Sequence, residues 1–131
     1  MTATRYEFHF DARYRPFLAA LGVRPATAWV HVDDEHVLAR FGPWRVSIGA
    51  QNIADVCPSG PYQAIKAIGT RLSRTDRGLT FGSTTRGGVC LLLREPVAGI
   101  EPFGTVRHPG LTLTVADREG FAAHCRRIAG L

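Results

Sequence analysis

Two histidines bracket an acidic stretch in this 131-residue chain: His31, then Asp33, Asp34 and Glu35, then His36. Imidazole nitrogens beside a carboxylate are the donor types of a zinc site, which needs three or four such ligands. No third imidazole is placed there, and two histidines on a short hairpin read more simply as surface residues. Ser59 lies in Cys57-Pro-Ser-Gly-Pro-Tyr62 with no base indicated, and no Gly-x-Ser-x-Gly elbow or acid–base pair of carboxylates stands out. Gly82-Ser-Thr-Thr-Arg-Gly-Gly88 has the glycines of a phosphate-cradling loop. It lacks the lysine, hydroxyl and helix that must follow the second glycine, so it reads as a hairpin turn. The residues assign no catalytic group, metal ligand or cofactor. The expectation is a binding protein rather than an enzyme, although a triad drawn from distant positions would leave no such signature.

Binding candidates are more concrete. Fifteen arginines stand against a single lysine, Lys66, and the formal charge is +5. The excess sits between Cys57 and Arg94, where Lys66, Arg71, Arg74, Arg77, Arg86 and Arg94 face only Asp76. If residues 67–83 form a hairpin, Arg71, Arg74, Arg77 and Arg86 gather near one end of the fold. There they would meet an acidic peptide, an anionic lipid surface or nucleic-acid phosphate. A solvated face, rich in arginine because the genome is GC-rich, is the plainer reading. No aromatic-rich RNA-binding strand, helix-turn-helix or zinc pattern accompanies the charge, and that absence speaks against nucleic acid. Trp29 is either an exposed anchor or covered by Phe17 and Leu21 of an N-terminal helix, and Trp44 belongs in the core. Phe103 and His108 share a long loop from Pro96 to Gly110, where His108 either gates a pocket or ties the loop to backbone.

The elements that must position these residues follow from periodicity. Ala28, Val30 and Val32 alternate with Trp29 and His31, and Val37, Ala39 and Phe41 alternate with Leu38 and Arg40, which predicts two half-buried strands joined at Asp33–Glu35. Gly42-Pro43 turns the chain into a third strand carrying Trp44, Val46 and Ile48. Before this meander come a strand over residues 5–10 and a helix over 14–21. Asp11 caps that helix, and Phe17, Leu18 and Leu21 dock on the sheet. After it, residues 57–62 read as a loop and 64–75 as mostly strand. Further strands start at Leu79, at Val89 (covered on both faces) and at Leu111. Asp117 caps a terminal helix with Phe121, Cys125 and Ile128 on its inner face.

Length and composition predict one domain with a core of its own. Three cysteines, Cys57, Cys90 and Cys125, argue against a disulfide framework and suit a reducing compartment. The longest apolar run, Val89 to Leu93, is far too short to span a membrane, and the first ten residues have no signal-peptide core. The expected location is cytoplasmic.

HVLARFG before a Trp-led strand, WRVSIGAQNIADV and VADREGFAAHCRRI together resemble a bacterial pleckstrin-homology-like (PH-like) domain. FGPWRV, DRGLTF, GVCLLLREPV and RHPGLTLTV are similar to a group of small uncharacterised proteins of GC-rich bacteria, a resemblance that supplies no function. The first implies an α+β, mostly antiparallel fold: a seven-stranded barrel or sandwich over residues 27–128 with a C-terminal capping helix, and residues 1–26 packed on it as an extension. It also implies a non-enzymatic module for an unidentified protein or peptide. PH-like domains that bind phosphoinositides carry basic residues in the first hairpin loop, where this chain has Asp33, Asp34 and Glu35. The alternative fold is a helix-grip (START-like) domain enclosing an apolar small molecule, either as a binding protein or as an enzyme acting on it, with residues 96–110 as its lid. A further alternative is peripheral binding to anionic membrane. Oligomeric state is left open.

Overall fold

The structure is a computed structural model and describes residues 3–61, 68–72, 77–100 and 106–131. Strand β1 (Thr4–Glu7) leads through a 3-10 turn (Ala12–Tyr14) into helix α1 (Arg15–Ala20). The Asp11 carboxylate accepts from the Arg13 N–H at 3.4 Å, and Pro16 sits in the first helical turn, where no N–H is needed. A meander follows: β2 (Ala28–Val32), β3 (His36–Phe41) and β4 (Trp44–Gly49). Gly42 makes its second turn at φ 61°, and a Cβ there would lie 2.9 Å from the Gly22 carbonyl oxygen, so only glycine fits. A 3-10 turn (Ala50–Asn52) passes to β5 (Ile53–Ser59), and then come β6 (Gly69–Leu72), β7 (Leu79–Gly82), β8 (Gly88–Ala98), β9 (Arg107–Leu113) and α2 (Arg118–Ala129).

The strands form two sheets, β1-β2-β3-β4 and β5-β8-β9-β7-β6. All pairings are antiparallel except β7 with β9. The α+β, mostly antiparallel class is therefore as expected, with nine strands among the described residues where eight were expected, seven in the core and one in the N-terminal extension. The sheets do not close into a barrel. Their backbones join at one corner around the Phe8–Val115 bridge, where the His9 N–H donates to the Thr114 carbonyl and the Ala116 N–H to the Glu7 carbonyl, while β4 runs into β5 at the other.

The first sheet follows the period-two reading: Ala28, Val30, Val32, Val37, Ala39, Phe41, Val46 and Ile48 are buried. Trp44 is half-buried against that core. Between the sheets, Phe41 stacks on Phe81 with ring centroids 5.1 Å apart and meets Phe8 at 5.0 Å on its other side.

Four expectations need correction. Residues 57–62 are not wholly loop, because β5 continues through Pro58 to Ser59; it is an edge strand, where a missing N–H costs no ladder bond. The long loop from Pro96 is shorter, because β8 extends to Ala98 and β9 begins at Arg107. The ladder accommodates Pro96 and Pro109 by shifting register between Leu92 and Val97. The Val89–Leu93 run is covered on one face only, and Leu92 is 43% exposed. Phe17 points outward at 50% exposure, while Leu18 alone of the helix is fully buried. Of the expected strand over 64–75, residues 69–72 form β6, and the rest lies mostly outside the described residues.

Candidate functional site: a groove beside the terminal helix

Helix α2 is specified at both ends. The Asp117 carboxylate accepts from the Gly120 N–H at 3.0 Å, and Gly130, at φ 74°, closes the last turn on the Arg126 and Arg127 carbonyls. Phe121, Ala122 and Cys125 are buried. The Tyr6 ring meets Phe121 edge-on at 5.2 Å, and its hydroxyl lies 2.9 Å from His124 Nδ1. These contacts fix the rotation of α2 against β1 and β5.

That rotation leaves one helix edge, Arg118, Ala122 and Arg126 at i, i+4 and i+8, beside the sheet. Opposite it lie Pro58, Gly88 and Val89 from β5 and β8, and the groove between holds about 390 Å³. Its floor is apolar and small, and its helix wall is charged, with Glu119 beside Arg118. Arg118 reaches toward the Arg86 carbonyl at 3.5 Å, and both arginines border a smaller neighbouring depression with His9 and Thr84. Arg126 donates to the Val56 carbonyl at 2.9 Å. The rim thus carries two arginines, Arg118 and Arg126, against one glutamate, with Arg86 at the neighbouring depression.

The edge of β5 is closed to an added strand. The Val56 N–H is taken by Asp55 Oδ1 at 2.8 Å, its carbonyl by Arg126, and Pro58 has no N–H to offer. Side chains, not the main chain, are what this groove presents.

Other sequence candidates fall elsewhere. Of the four arginines, Arg71 at the end of β6 and Arg77 just before β7 flank the same hairpin turn, with Arg71 donating to the Ile68 carbonyl at 2.8 Å. Arg86 lies at the opposite end of β7, in the depression next to the groove. Arg74 and Phe103 lie outside the described residues. Trp29 is on the outer face of the first sheet, stacked on His31 at 4.1 Å with the Arg5 guanidinium 5.9 Å from its ring. It is not beneath α1, since Phe17 and Leu21 lie beside Gly69 of β6. His36 is exposed, and Asp33 accepts from the Glu35 and His36 N–H groups at 2.8 and 2.7 Å, which holds its carboxyl below the usual range. It therefore works as a turn cap.

His108 is 1% exposed, and its ring bridges two backbone segments. Nε2 accepts from the Ile100 N–H at 3.2 Å, so Nδ1 carries the proton and donates to the Arg77 carbonyl at 2.7 Å. It ties backbone, one of its two expected roles. Ser83, within the supposed phosphate loop, is also structural: its hydroxyl lies 2.7 Å from the His9 carbonyl and 3.0 Å from Thr114 Oγ1, joining the N-terminal segment to the second sheet.

Compared with protein-family models, curated proteins and solved structures, the chain has no match in any of the three. The groove residues were not read from sequence as a site: Pro58 was placed in a loop, Gly88 in a turn and Val89 at the start of a strand. The signal that could have found them is the small Ala122 midway between two arginines on one helix edge.

Proposed function

We propose that this chain is a PH-like binding module that holds a short acidic segment of another protein in the groove between α2 and β5/β8. The observation that carries the reading is the groove itself: an apolar floor of Pro58, Val89 and Ala122 between Arg118 and Arg126. Eight residues of helix separate the two arginines by about 12 Å, the span of three to four residues of extended chain. An apolar side chain flanked by carboxylates matches that spacing and the sign of the charge. The PH-like assignment draws support from the topology. Set aside the β6–β7 hairpin, and seven antiparallel strands remain, β1–β4 in one sheet and β5, β8 and β9 in the other, with α2 packed beside β5. On that reading β1 belongs to the core, and α1 and the hairpin are insertions.

The test is a random heptapeptide display library panned against the full chain. Enriched peptides should carry acidic residues on both sides of an apolar one. Their affinity should fall roughly tenfold in Arg118→Glu, the scale of a charge-assisted contact replaced by a like charge, and hold in Arg77→Glu. Peptides indifferent to Arg118→Glu would refute the assignment.

A further inference from the structure

Cys57 on β5 stands directly opposite Cys90 on β8. Directly paired residues of an antiparallel ladder share a face. Val56, Val89 and Leu91 are buried, so both thiols lie on the outer face of the sheet, each partly exposed, and the third thiol, Cys125, is buried in the core. We propose that Cys57 and Cys90 are a covalent modification site, closing a reversible disulfide within the chain when a low-molecular-weight disulfide or hydroperoxide is present.

The backbone allows the bond at a small cost in geometry. Because the Val56 N–H and carbonyl turn away from β8 to Asp55 and Arg126, Cys57 and Cys90 form the neighbouring pair that exchanges backbone hydrogen bonds. Their Cα atoms are then about 5.5 Å apart, inside the range of disulfides, while the Cβ atoms must approach by about 1 Å. β5 is held by the ladder on one side only and can make that shift. A bond formed with some strain is readily reduced, which suits a sensing role in a reducing compartment. Burial and the nearby Asp55 carboxylate, 3.5 Å from the sulfur, push the Cys57 thiol up. At neutral pH this keeps the thiolate fraction of Cys57 low, so its attack on a disulfide is slow.

With oxidised glutathione, one cysteine thiolate attacks a glutathione sulfur, forming a mixed disulfide and releasing one glutathione. The second thiolate then attacks the mixed disulfide on the protein sulfur, the S–S bond to glutathione breaks, and a second glutathione leaves with the proton. Two protein thiols are oxidised and one glutathione disulfide is reduced. The product pins β5 to β8 beside Pro58 and Val89, two residues of the groove.

The experiment titrates the folded full chain with oxidised glutathione and reads intact mass, thiol labelling and a non-reducing peptide map. The expected product is a monomer two hydrogens lighter, with Cys57 and Cys90 lost together to labelling, a Cys57–Cys90 peptide pair, and reversal by dithiothreitol. Cys125, whose thiol burial pushes up to about 12, should remain labelled after unfolding. Cys57→Ser should instead retain glutathione on Cys90. Glutathione retained on both cysteines of the wild type, bonds only between chains, or no reaction at either thiol would each overturn the proposal.

Discussion

Replacing His108 by leucine tests whether this ring is a backbone tie. Leucine fills the buried volume but offers nothing to the Ile100 N–H or the Arg77 carbonyl, bonded at 3.2 and 2.7 Å. Arg77 is exposed, so water can reach its carbonyl, whereas Ile100 is half-buried beneath the sheet edge. Two net hydrogen bonds at about 1 kcal/mol each, plus the cost of stranding one amide, give a loss of about 2–4 kcal/mol. With a urea slope of about 2 kcal/mol per molar, the midpoint should fall by about 1–2 M. His108→Gln, whose amide oxygen lies near the position of Nε2, should restore the Ile100 bond and recover part of the loss. Amide exchange at Ile100 supplies a second readout, fast in His108→Leu and slowed again in His108→Gln. A loss below about 0.5 kcal/mol for the leucine variant would refute the reasoning, since that is the scale of a surface change.

Burial, then the Arg127 charge, lower the pKa of His124, which sits 2.9 Å from the Tyr6 hydroxyl. The folded state favours the neutral ring, so its contribution is present above the ordinary value of 6.5 and is lost as pH falls through the lowered one. Urea midpoints should therefore drop between about pH 7 and pH 5, and His124→Gln should flatten that part of the curve; an unchanged slope refutes the assignment. In Gly88→Ala the new Cβ would lie 2.5 Å from the Leu113 carbonyl oxygen and 2.9 Å from its carbon, both backbone atoms that cannot swing aside. The variant should lose about 1–3 kcal/mol in urea unfolding, and wild-type stability would contradict the contact.

How much was legible in the sequence depended on whether local pattern or distant pairing decided the outcome. The first sheet was readable because its alternation is set by one buried face: Ala28 to Ile48 keep the phase throughout. Helix α2 was readable because its cap, inner face and terminal glycine are all local. Prolines misled at Pro58, Pro96 and Pro109, since composition cannot tell an edge strand or a register shift from a loop. The parallel pairing of β7 with β9 was invisible for the same reason, being a contact between segments separated by β8. His108 shows the limit at the site level: residue type suggested a backbone tie, but its partners Ile100 and Arg77 came from the fold. The cysteines were read as arguing against a disulfide framework, so that Cys57 faces Cys90 came only from the ladder.

The four sheet edges explain why recognition by side chains is the consistent reading. β1 spans four residues and carries the Arg5–Glu7 ion pair at 2.6 Å on its outer face, while its Glu7 carbonyl accepts from the Ala116 N–H. β6 is equally short, and its Arg71 turns back to the Ile68 carbonyl. β4, six residues long, leads directly into the 3-10 turn and β5. β5, the long edge at seven residues, spends its Val56 groups on Asp55 and Arg126 and has proline at the next outward position. Short length, charge, proline and capping side chains are the means by which open edges avoid pairing with other chains. On the function proposed above, a partner held at the α2 groove would draw its affinity from the apolar floor and guanidinium rim rather than from a strand added at β1, β5 or β6.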